Sequence, residues 1–137
     1  MQVYFEKEYA TISYDNTTHA ITIDWKVRPF SSEFRTGLES LLKAMEHFKT
    51  GKVIADTRNL GTLAIEDQDW SANDWTAMAL EAGYYSDIAI IVPSDVYDKM
   101  AIDDVMARVE GSSLKVGYFD ERESAAAWIK QLEVANN

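Results

Sequence analysis

The chain has 137 residues, with 13 Lys+Arg against 23 Asp+Glu for a formal net charge of −10. That length suits one domain, and that acidity, with no run of basic residues, speaks against a nucleic-acid or anionic-membrane surface. Apolar residues make up 47% and Cys is absent, so a packed core is attainable, while a disulfide framework, a thiolate metal site and a Cys nucleophile are excluded.

The amino-terminal third alternates with period two. Tyr4-Phe5 can form a short first strand. Tyr9–Tyr14 and Ile21–Trp25 then read as the arms of a hairpin, with Asp15-Asn16-Thr17-Thr18 as its turn. Ile21, Ile23 and Trp25 fall on one face and Thr22 and Asp24 on the other, which predicts an antiparallel strand with one wet side. After Pro29 the spacing becomes helical. Phe34, Leu38, Leu41, Leu42, Met45 and Phe48 share a stripe, Ser31 or Ser32 can cap its start, Glu33 complements the positive end, and Gly51 is placed to terminate it. Val53-Ile54-Ala55 follows as a buried strand ending at Asp56.

The loop Thr57–Thr62 leads to a second helical stretch. Its opening is acidic (Glu66, Asp67, Asp69), and Trp75, Met78, Ala79 and Ala82 carry its apolar face. Ile88–Val92 is a nearly unbroken apolar run, as expected of a strand covered on both faces. Ser94 can cap a third helix with apolar positions Tyr97, Met100, Ala101, Val105, Met106 and Val109, ended by Gly111. Leu114–Phe119 is the last strand. Asp120 and Glu123 have capping-box spacing before a final helix carrying Ala125, Trp128, Ile129 and Leu132. This order predicts one α/β domain over residues 1–137, with a mixed sheet of an antiparallel hairpin followed by parallel strands, and about four helices. The start, Met1–Glu6, lacks signal-peptide character and no apolar run has membrane-spanning length, so a cytoplasmic protein outside the membrane is expected.

Recognised catalytic patterns are scarce. His19 and His47 have no metal-ligand spacing and read as surface residues, and neither a phosphate-binding Gly-rich loop nor a nucleophile elbow is present. No cofactor and no metal are expected, and the acidic stretch Glu66-Asp67-Gln68-Asp69 fits a helix start better than a calcium loop. Ligands of open α/β sheets gather outside the carboxyl ends of parallel strands. There Asp56, Thr57, Arg58 and Asn59 offer a polar pocket, or alternatively a self-satisfied loop in which Arg58 neutralises Asp56. Trp70 and Trp75 are five positions apart, roughly 140° around an α-helix. With Trp75 on the core face, Trp70 is expected on a partner surface, a pocket wall or a packed helix entrance, and Tyr84-Tyr85 could extend that surface.

With this order of elements, the chain resembles the STAS superfamily, the fold of bacterial anti-sigma-factor antagonists. It is more narrowly similar to a small bacterial branch grouped with lipid-carrier domains of the CRAL-TRIO type. The resemblance is carried by the opening hairpin, by Gly51–Asn59 as central strand and loop, by Ile90-Ile91-Val92-Pro93, and by Tyr118-Phe119-Asp120 before the last helix. It implies docking governed by a phospho-switch, in which a Ser of an Asp-Ser-Ser-Gly type motif at the start of the second helix is phosphorylated by a partner kinase. The corresponding region here is Ile65-Glu66-Asp67-Gln68-Asp69-Trp70, which has no hydroxyl, while Thr57 and Ser71 lie nearby outside the motif. Either its acidity resembles a phosphorylated state or the switch is gone.

The expected function is a non-catalytic binding or regulatory module that docks a protein partner through the second helix and the loop before it. The alternative is a carrier of a small apolar or lipid-like ligand in a helix–sheet pocket, fed by Trp70, Tyr84, Tyr85, Met100 and Met106. An enzyme built on Asp56 and Arg58 is the third reading. A homodimer is the base-rate expectation for a small protein of this kind.

Overall fold

The structure, a computed structural model, describes residues 1–135. Its strands are β1 (Gln2–Glu6), β2 (Ala10–Asp15), β3 (Ala20–Trp25), β4 (Lys52–Asp56), β5 (Asp87–Ile91) and β6 (Lys115–Phe119). Its helices are α1 (Ser31–Phe48), α2 (Ile65–Asp69), α3 (Thr76–Glu81), α4 (Val96–Val109) and α5 (Arg122–Ala135), with a π-helical turn (Trp70–Trp75) fusing α2 to α3. The six strands lie side by side in chain order, β1 to β3 antiparallel and β3 to β6 parallel. The mixed α/β sheet is therefore present, extended by a full first strand where Tyr4-Phe5 suggested a short one.

Chain-order pairing dictates the layers. Three successive crossovers of one hand, all stepping the same way across the sheet, must land on the same face. Accordingly α1, the α2–π–α3 unit and α4 cover one face, where Ile12, Ile23, Trp25, Val53, Ile90, Leu41, Met45, Trp75 and Met106 form the larger core. Among the described residues only α5 reaches the other face, packing Ala125 and Ile129 on Ala20, Ile54, Ala89 and Ile91. This second layer covers part of the side of β3 that alternation marks as wet: Thr22 is buried and Asp24 half-buried.

Several local signals are satisfied by different residues from those the sequence nominates. α1 starts after Phe30, whose backbone N–H donates to the Glu33 carboxylate at 2.9 Å, and the Ser31 hydroxyl instead donates to Asp67 at 2.6 Å. The same helix closes on Lys49 in the left-handed region (φ 56°), two residues before Gly51. Gly51 has another duty: a Cβ there would stand 1.5 Å from the Tyr84 carbonyl oxygen, so only glycine allows the two crossovers to touch. Asp95, not Ser94, caps α4, accepting from the backbone N–H groups of Tyr97 and Asp98. α5 opens at Arg122, too late for Asp120 to cap it. On α4 the buried positions are Ala101, Ile102, Met106 and Val109, so Tyr97 and Met100 face solvent, as does Met78 on α3.

Candidate functional site

The carboxyl ends of the parallel strands are divided by the sheet into two separate environments. Period-two alternation sends Asp24 and Asp56 toward α5, the side of Ala20 and Ile54. Asp56 is buried and holds Arg58 as a two-pronged pair, Oδ1 to Nε at 3.0 Å and Oδ2 to Nη2 at 2.7 Å, while also accepting from the Arg58 backbone N–H. Arg122, from the first turn of α5, bridges Asp56 (3.3 Å) and Asp24 (3.0 Å). Burial pushes the Asp56 carboxyl up, but its hydrogen bonds to the Arg58 side chain and backbone, the Arg58 charge and the Arg122 hydrogen bond together outweigh burial and hold it below the ordinary carboxylate value. The result is a charge-balanced clasp of two carboxylates and two guanidiniums that locks α5 to the sheet. A carboxylate held ionised by two cations is a poor proton acceptor near neutral pH.

The other proposed polar residues are distributed elsewhere. The Thr57 hydroxyl is buried and donates to the Ile91 carbonyl at 2.7 Å, stitching β4 to β5, and Asn59 is exposed. The Ser71 hydroxyl is likewise buried and donates to the Gln68 carbonyl at 3.1 Å. Neither hydroxyl near the helix start is therefore presented to a kinase. In the acidic opening, Asp67 pairs with Arg35 of α1 and Asp69 with Arg108 of α4, so both anchor α2 to its neighbours. His47 is exposed, while His19 is half-buried, its ring held between the Tyr14 hydroxyl and the Lys49 carbonyl.

Trp70 does not stand on the surface. The Thr76 backbone N–H reaches the Ser71 carbonyl five residues back, so the turn Trp70–Trp75 follows the wider π ladder. That ladder brings residues five apart toward one side, and both tryptophans turn inward. Trp75 is buried and donates its indole N–H to the Leu38 carbonyl at 2.7 Å. Trp70 is half-buried, edge-on to Phe34 and beneath the Arg35 guanidinium, 5.0 Å from its ring. The 140° argument holds for an α-helix and fails here because the ladder changes.

Tyr84 and Tyr85 lie before β5, at the opposite end of the parallel strands from Asp56. Tyr84 is partly exposed, whereas Tyr85 is buried and edge-on to Trp75. Tyr85 lines a cavity of about 90 Å³ between the sheet, α1, the π turn and α4, whose walls include Ile23, Leu41, Ala55, Leu60, Trp75 and Met106. At ~24 cal/mol per Å³, leaving that space empty forgoes about 2 kcal/mol of packing. Met106 reaches this space as the sequence suggests; Trp70, Tyr84 and Met100 are not among its walls.

Apart from Met1 and Val3 at the start of the chain, the large apolar groups more than half exposed lie beyond the carboxyl ends of β3, β4 and β5, on the loop after β3 and the opening turns of α2 and α4. Phe30 is 78% exposed and Tyr97 71%, and Val27, Ile65, Val96 and Met100 are each more than half exposed. These segments are tied together: the Arg28 guanidinium donates to the Thr62 carbonyl in the loop before α2, and the Thr62 hydroxyl donates to Asp98 in the first turn of α4. Gly61, at φ +79°, lies against the Arg28 stem, where a Cβ would meet it at 2.9 Å. The chain matches no protein-family model, no curated protein and no solved structure. Sequence reading missed this rim because Tyr97 and Met100 fit a helical apolar stripe. Phe30 and Ile65 carried a usable signal: each is a large apolar residue at a helix entrance.

Proposed function

We propose that this protein is a non-catalytic docking module whose partner-binding surface is the apolar rim of Val27, Phe30, Ile65, Val96, Tyr97 and Met100. One observation carries this: six large apolar side chains stand more than half exposed on the loop after β3 and the opening turns of α2 and α4, segments joined by hydrogen bonds at one end of the sheet. Clustered exposed apolar groups mark interaction surfaces, and a hydrogen-bonded base lowers the ordering cost of binding. The rim includes Ile65 at the start of the second helical unit, the region through which the resemblance to the STAS superfamily implies docking. A lipid-like cargo is less well supported, since a pocket for a drug-sized ligand takes roughly 300 Å³ or more, against about 90 Å³ here.

A photo-crosslinking residue at position 65, compared with one at exposed Lys130 on α5, tests the surface in extract of the source cells. A discrete adduct from position 65 that disappears on Phe30→Glu is expected, and an adduct of twice the chain mass would identify a second copy as the partner. Equal products from both positions, or none from position 65, would overturn it.

A further inference from the structure

The approaches to α1 and α2, with the first turns of those helices, stand side by side and leave an open cleft of about 230 Å³ between them. Two hydrogen bonds join the segments: the Arg28 guanidinium donates to the Thr62 carbonyl at 3.3 Å, and the Ser31 hydroxyl donates to Asp67 Oδ1 at 2.6 Å. All four residues are walls of the cleft, so each charged group is fixed to a wall by another wall residue. Phe30, Phe34, Leu60 and Leu63 supply its apolar surface. The carboxylate is only partly satisfied. Asp67 is 4% exposed, a costly place for a charge unless it is paired. Its Oδ1 accepts from Ser31 and from Arg35 Nε, whereas Oδ2 takes part in no hydrogen bond among the described residues. Every fully enclosed side-chain oxygen among those residues has a partner, so Oδ2 is not enclosed and borders free space, and the cleft is free space that Asp67 lines. Arg28 is exposed and engages the Thr62 carbonyl through Nη2, which leaves other guanidinium donors free.

We propose that this cleft binds a free α-amino acid with an apolar side chain, its carboxylate on Arg28 and its ammonium on Asp67, with the side chain against Phe34, Leu60 and Leu63. A zwitterion carries the two opposite charges that the two polar walls call for, and charge-assisted hydrogen bonds are the strong ones. A cation alone would meet Arg28 and Arg35 as well as Asp67, and an anion alone would meet the Asp67 carboxylate. The size agrees. A cavity of roughly 150 Å³ holds benzene, roughly 25 Å³ per heavy atom. At that density about 230 Å³ admits on the order of nine heavy atoms, the size of leucine. The cleft shares Phe30 with the docking rim, but amino-acid binding does not depend on docking.

Calorimetric titration of the full chain with leucine, with isocaproate, which lacks the amine, and with leucinamide, which lacks the carboxylate, tests the proposal. Wild type is expected to bind leucine at least tenfold more tightly than either analogue. Arg28→Gln should erase the preference over leucinamide and keep that over isocaproate, and Asp67→Asn should do the reverse. Arg28 is exposed, so its substitution keeps the test decisive even if Asp67→Asn unfolds the chain. No leucine binding by wild type, equal affinity for leucine and either analogue, or a preference over leucinamide that survives Arg28→Gln would overturn it.

Discussion

At the scale of single residues, Asp56 shows how a reactive-looking group becomes structural. Its carboxylate is buried, yet Arg58 and Arg122 supply donors from the solvent side, so the charge is satisfied where it forms. Asp56→Asn should lower stability at neutral pH by about 1–2 kcal/mol, the scale of hydrogen bonds to a charged group discounted for half-exposed partners. Because the folded carboxyl titrates below its unfolded value, this contribution is complete above about pH 3.9 and fades as pH falls through the folded value. Urea unfolding at pH 7, 5 and 3 should give an equal gap between the two proteins at the higher values and a narrower one at pH 3. An unchanged gap would contradict the assignment. The Asp56–Arg58 pair is legible in the sequence as a strand-end couple. Arg122 is not, because its distance of 66 positions from Asp56 closes only when α5 crosses to the far face.

At the scale of elements, strands and helices were readable because burial imposes their periods directly on the residues. The β5 run Ile88–Ile91 is buried on both faces, and α1 buries Phe34, Leu41 and Met45 from its stripe. What periodicity cannot reveal is a change of ladder within a helix, and the π turn at Trp70–Trp75 is such a change. Capping is similarly underdetermined, since Ser31, Ser94 and Asp120 are good cappers by chemistry but sit one or two residues from the chosen boundaries. Contacts between crossovers are also invisible in one dimension, and Gly51 is the sharpest case. Gly51→Ala would drive a methyl group into the Tyr84 backbone. It should cost about 3 kcal/mol or more, measured as a loss of unfolding free energy at neutral pH. Near-wild-type stability would show that the two crossovers are not in contact.

At the scale of the molecule, chain-order pairing explains both what the fold offers and what it withholds. Ligand crevices in open α/β sheets form where strand order reverses, and β3 to β6 never reverse. The loops at the carboxyl ends therefore close over one another through Arg28, Thr62 and Asp98 and leave an apolar rim. No helix among the described residues is long and apolar enough to cross a membrane, so the rim is not flanked by a spanning segment there. Hydroxyl-radical footprinting is the most direct test, because Phe30, Tyr97 and Met100 are reactive side chains that are exposed in the isolated protein. Added to extract of the source cells, the protein should show several-fold slower oxidation at those three positions, with Tyr4 on β1 unchanged. Equal rates in buffer and extract at Phe30, Tyr97 and Met100 would contradict a docking role for this surface.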